Sequence, residues 1–227
     1  MDLQTIRAKA RRKLDETTTG NSGVFWTDNE LNDYINDGYF YYWQWLIDAR
    51  NPAILKRTSL DITSGVDTIT LPSDFLTARL VERVFDSATV PMQYAPRFDS
   101  SKSTNGTVAS SLLGYLPSYD FFGSNLVLNP TPQETISGGI LLTYMFAATR
   151  LSNDTDTPNA AFPDLFHDLL VGWCVIQAKD KEEMIGGGGS DMAPFLASQA
   201  KREALFKSSI ESTTLQRFYS EPWGIGY

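Results

Sequence analysis

The chain holds one histidine, His167, and one cysteine, Cys174. A Ser–His–Asp device needs its nucleophile on a strained turn, and no Gly-x-Ser-x-Gly occurs. His167 opens an apolar helical run, which reads as a helix-surface or satisfied core histidine. One histidine and one cysteine seven residues apart cannot supply a tetrahedral zinc site. Asp154 and Asp156 offer oxygen ligands to a hard cation, but the D-x-D-x-D-G calcium pattern is missing, and a polar turn is the simpler reading. Gly186 to Gly189 are followed by no Gly-Lys-Ser/Thr, so they read as a joint between helices rather than a phosphate loop. The cluster Tyr39, Phe40, Tyr41, Tyr42, Trp43 and Trp45 has the rings for stacking a sugar or base, but such density more often marks core or subunit interface. No catalytic, cofactor-binding or metal residue is expected.

The stretch Phe25 to Ala49 must organise its surroundings. Thr27 and Glu30 have capping-box spacing. Leu31, Tyr34, Ile35, Gly38, Tyr42, Trp45 and Leu46 then share one side of a 3.6-residue helix. The other side is polar through Asn32, Asp33, Asn36 and Asp37, and apolar afterwards through Phe40, Trp43 and Ile47. The Phe40/Trp43/Ile47 face needs a second cover, either the β region or the next subunit.

Residues 2 to 17 predict a first helix with Asp2 as N-cap and a narrow stripe of Leu3, Ile6, Ala10 and Leu14. Its Arg7, Lys9, Arg11, Arg12 and Lys13 form either a solvated basic face or partners for the acidic start of helix 2. After Asn51-Pro52 the period drops toward two. Arg57 to Ile62, Asp67 to Leu71, Leu80 to Phe85, Val90 to Tyr94, Tyr119 to Phe122, Leu126 to Leu128 and Gly139 to Phe146 read as about seven short strands. A Ser/Thr/Asn/Gly-rich loop, Asp99 to Ser111, interrupts them. Helix 3 begins at Phe162-Pro163-Asp164, with Val171 and Val175 making even its back apolar. Ser190 or Asp191 caps helix 4, which runs to about Ser212. Thr213 to Tyr227 shows no helical period, and its aromatic residues suit anchors buried in a partner.

The expected fold is α+β. N- and C-terminal helices form a four-helix bundle, residues 1–52 and 151–212. A small antiparallel β barrel or sandwich, residues 53–150, is inserted between helices 2 and 3. An extended docking tail, residues 213–227, closes the chain. Composition bounds the function. With 42% apolar residues the chain is globular, and it lacks an 18-residue apolar run for a membrane span. A net charge of -8 argues against gripping phosphates, though not against surrounding DNA loosely. The lone cysteine fits a reducing compartment, and the N-terminus lacks the apolar core of a secretory signal.

Five phrases in order resemble the head-to-tail adaptor (head-completion, connector) proteins of tailed bacteriophages. They are a basic opening helix followed by Trp26-Thr27-Asp28-Asn29-Glu30-Leu31-Asn32-Asp33-Tyr34-Ile35-Asn36; Leu71 to Phe75; a strand LVERVF; Leu128-Asn129-Pro130-Thr131-Pro132; and, shifted by one residue, Pro163 to Val171. The Asp99 to Ser111 loop and Gly186 to Gly189 match no phrase. The resemblance implies a non-enzymatic ring, usually of twelve copies, made in the host cytoplasm and placed in the virion neck. Its partners would be the portal protein above, a tail or nozzle protein below, and double-stranded DNA passing without specific binding. In such adaptors the C-terminal segment reaches the portal, which assigns docking to Phe218, Tyr219, Pro222, Trp223, Ile225 and Tyr227. The alternative is a tail-associated module binding a glycan through the Trp/Tyr cluster.

Overall fold

The computed structural model describes residues 1–16, 25–85, 88–96, 118–184 and 193–220. It divides into two compact units, Met1–Ile54 with Ala148–Tyr227, and Leu55–Ala147.

The first unit is helical: α1 (Leu3–Lys13), α2 (Asp28–Asp48), α3 (His167–Met184) and α4 (Ala193–Ser220). Asp2 caps α1, its carboxylate accepting from the Thr5 amide at 2.8 Å. Two further free amides of the first turn, Leu3 and Gln4, donate to the carbonyls of Asp156 and Asp154 at 2.8 and 3.0 Å. The polar turn after residue 152 thus closes the N-terminus of a helix far away in sequence. At α2 the capping box is complete: the Thr27 hydroxyl accepts from the Glu30 amide at 3.2 Å, and the Glu30 carboxylate from the Thr27 amide at 3.1 Å.

These helices do not form the expected four-helix bundle. The shared faces are those of α3 with α1, α2 and α4, and of α1 with α2; α4 shares no comparable face with α1 or α2. The reason lies in α3. Leu169, Leu170, Val171, Cys174, Val175 and Ala178 are all buried, so α3 is apolar nearly all round and must be enclosed. It becomes the hub, and 11-residue α1 is too short to run the length of 28-residue α4. The expected extended tail is also corrected. The helix continues through Thr213 to Ser220, because no glycine or proline interrupts it before Pro222, and the residue preceding a proline avoids the helical region.

Where α2 crosses α3 the backbones are close. A Cβ on Gly38 would lie 2.7 Å from Cγ of Trp173, so only glycine lets the indole lie across α2. Gly38→Ala should therefore destabilise the helical unit by about 1–3 kcal/mol through overpacking, despite alanine's better helix propensity. Urea unfolding followed by tryptophan fluorescence measures it.

The second unit has two four-stranded sheets, ordered β1-β8-β3-β4 and β2-β7-β6-β5. The strands are β1 (Leu55–Ile62), β2 (Thr68–Thr70), β3 (Phe75–Phe85), β4 (Ala88–Pro91), β5 (Gln93–Tyr94), β6 (Ser118–Phe122), β7 (Asn125–Asn129) and β8 (Ile136–Phe146). All pairings are antiparallel except β5 with β6, which is parallel and departs from the expected all-antiparallel insertion. Ile62, Val81, Leu126, Leu128, Ile140, Leu142 and Tyr144 belong to the core of this unit. Gly65 and Gly123 take φ of +77° and +59° in the turns after β1 and β6, where a Cβ would be strained.

Candidate assembly surfaces

The groups with chemical potential are spent on structure. His167 is 1% exposed and stacks on Phe162 with 9° between the ring planes. Its ring nitrogens lie 3.2 Å from the Phe162 carbonyl and 2.8 Å from the Met1 amine. Burial, reinforced by the charge of that amine, pushes its pKa down. The unfolded chain therefore takes up the proton first. The stability that His167 contributes is complete above about pH 6.5 and is lost as pH falls through the folded-state pKa. His167→Gln should flatten that part of the stability–pH curve in fluorescence-monitored urea titrations. Cys174 is fully buried, and burial pushes its thiol up to about 12, so it is no nucleophile. Asp156 accepts from the Ser152 and Asn153 amides at 2.7 and 2.8 Å, and Asp154 pairs with Arg7 at 2.9 Å. Among the described residues no group of three or more His, Cys, Asp or Glu could hold a metal. The Gly186 to Gly189 joint and the Ser190 or Asp191 cap lie outside the described residues.

The basic residues of α1 are divided. Arg11 is 2% exposed: its guanidinium meets Asp28 at 2.7 Å and Glu16 at 2.6 Å and donates to the Trp26 carbonyl at 2.8 Å. Arg7 reaches Asp28, Asn32 and Asp154. These two are the partners of the acidic start of α2. Lys9 pairs with Asp168 at 3.1 Å, while Arg12 and Lys13 are exposed.

A buried polar chain fastens α4. Gln199, 6% exposed, donates to the Leu169 carbonyl at 3.1 Å and to the Tyr42 hydroxyl at 2.6 Å, and Tyr42 donates to Glu203 at 2.7 Å. Burial pushes the Tyr42 hydroxyl far up, so it remains a donor. Nothing in the apolar period of α4 marks Gln199. The available signal is Gly172, which leaves room for it: a Cβ there would lie 1.9 Å from its Oε1.

The aromatic cluster is mostly interior. Tyr39, Tyr42 and Trp43 are 1%, 0% and 2% exposed, which removes them as a glycan platform. Of the second face of α2, Trp43 is already covered within one copy, Ile47 is half-buried and Phe40 is exposed. Phe40 and Tyr41 sit on an outward side of α2 otherwise made of Asp33, Asp37, Gln44 and Asp48. On α4, Leu196 and Leu205 are exposed at 50% and 65%. Phe218 and Tyr219 lie on the last helical turn of α4; Pro222, Trp223, Ile225 and Tyr227 lie outside the described residues. Among the described residues no helix is long and apolar enough to cross a membrane.

No curated protein matches the chain. The family model described as SU10 adaptor protein, a phage head–tail adaptor family, matches residues 1–224. The match runs through both helical segments, the β unit between them and most of the C-terminal segment, and the chain belongs to the SU10 adaptor protein family.

Proposed function

We propose that this chain is a non-enzymatic structural adaptor of a phage neck, whose copies form a ring joining the portal to the tail. The observation that carries the reading is the family match over residues 1–224. Twelve copies are the number that the resemblance implies. A net charge of -8 supports a wall that surrounds passing duplex DNA without holding its phosphates. The portal contact is assigned to Phe218, Tyr219, Pro222, Trp223, Ile225 and Tyr227. The helical backbone of α4 carries the first two. A tail or nozzle protein is the partner on the other side.

Deleting Thr213 to Tyr227 tests the docking assignment. The inward residues of α4, Phe206 and Ile210, are retained, so the helical unit should still fold. Portal binding, measured by co-sedimentation, should be lost. Undiminished binding would rule out the docking role.

A further inference from the structure

Two surfaces of the helical unit complement each other and cannot meet within one copy. On α2, Asp33, Asp37, Phe40, Tyr41, Gln44 and Asp48 are exposed at helical spacing. The packed side of the same helix is Leu31, Ile35, Gly38, Tyr42 and Leu46. Phe40 and Tyr41, at 37% and 44% exposure, flank this acidic stripe on opposite edges, Tyr41 with its ring stacked on Trp173. Two arginines temper the acidity: Arg150, which pairs with Asp33, and Arg50 beyond the end of the helix.

The second surface lies where α1 and α4 approach each other over Asp168 of α3, which Lys9 and Arg202 both reach. Arg12 and Lys13 on α1 and Lys201 and Leu205 on α4 are exposed, beside half-buried Arg202. Lys13 lies near enough to Arg202 and Lys9 to feel both of their charges as well as that of Asp168. Asp168 is itself taken by Lys9, and the Arg202 guanidinium donates to its backbone carbonyl. The seam thus carries excess positive charge around an apolar Leu205. Since α4 meets α2 through Tyr42 and Trp45, the acidic face of α2 looks away from it.

We propose that the acidic α2 face of one copy docks on the basic α1–α4 seam of a second copy, with Asp37 and Asp48 meeting Lys13 and Lys201, and Phe40 at the edge of the stripe meeting Leu205. This rests on the ring reading above and supplies its subunit contact. Complementary charge sets register and partner choice, and apolar contacts beside it are ordinary interface anatomy. The two patches differ, so the contact is heterologous and repeats from copy to copy, which is what a ring requires.

Charge exchange on the full-length chain tests it. One variant carries Lys13→Glu and Lys201→Glu, the other Asp37→Lys and Asp48→Lys. The natural chain should self-associate in sedimentation at about 0.01 M salt, where the Debye length is about 30 Å, and dissociate near 1 M, where it is about 3 Å. Each variant alone should be monomeric at both. Their equimolar mixture should regain association, since every junction then again joins opposite charges. Circular dichroism checks the folding; if a double variant loses helix, Lys201→Glu and Asp37→Lys replace the pairs. Association of either variant alone, or a mixture that stays monomeric, overturns the proposal. So does a natural chain that is monomeric at low salt, and that result leaves ring formation on the portal to be judged by the position of the chain in the particle.

Discussion

Arg11→Met costs the helical unit about 3 kcal/mol or more, a large part of the stability of an ordinary domain. The substitution keeps much of the side-chain volume and removes only the charge and the hydrogen bonds. It leaves the Glu16 carboxylate, 14% exposed, facing a thioether, takes the nearer arginine from Asp28, 19% exposed and still paired with Arg7, and orphans the Trp26 carbonyl. Breaking a buried pair costs more than the pair ever contributed, because the partner's charge remains buried. Arg12→Met, one residue along on the exposed side, should change stability by no more than about 0.5 kcal/mol. The readout is selective. The five tryptophans are at 26, 43, 45, 173 and 223, and none falls within Leu55–Ala147. Fluorescence during urea unfolding therefore follows the helical unit alone.

Asn36→Leu should cost about 3 kcal/mol by the same measurement. Asn36 is fully buried in the middle of α2. Its Oδ1 accepts from the Leu151 amide at 2.8 Å, and its Nδ2 donates to the carbonyls of Leu151 at 2.9 Å and Asn32 at 2.8 Å. The side chain pairs with Leu151 as a neighbouring strand would, holding the chain where it leaves the β unit and re-enters the helical one. Leucine fits a buried helical position but strands both backbone groups of Leu151, whose bonds to Asn36 are buried. Asn36→Asp separates packing from hydrogen bonding. The carboxylate keeps the amide bond but opposes two carbonyls, so its pKa is raised by folding. Protonation at low pH restores the donor, and the deficit relative to the natural chain should shrink as pH falls and grow as it rises.

These two residues show where the sequence was readable. Periodicity gave the hydrophobic side of α2 and the capping box at its start, since both depend on neighbours along the chain. Asn36 falls on the side that the period marks as polar and is nonetheless buried, because its partner at Leu151 is 115 positions away. Arg7 and Arg11 read more readily as a solvated face than as paired, and the position of Asp28 beside them reverses that. The bundle expectation failed for a related reason. Four amphipathic helices suggest mutual packing, but the apolar back of α3, visible at Val171 and Val175, meant that one helix would be enclosed by the rest. Thr213 to Ser220 reads as extended because its aromatic residues keep no helical period, yet it is helical, since no glycine or proline interrupts it. Of the assembly surfaces, the aromatic excess of α2 was legible; which rings stay outside was not, since Trp43 and Phe40 differ only in what covers them.

The central claim is that this chain occupies the junction between portal and tail as a ring. Imaging particles that carry a small dense label on the chain tests it most directly. Label is expected at the neck alone, in a ring of repeated copies around the channel axis. Label at the tail tip or spread over the capsid surface would contradict it, and tail-tip label would favour a host-binding module in its place.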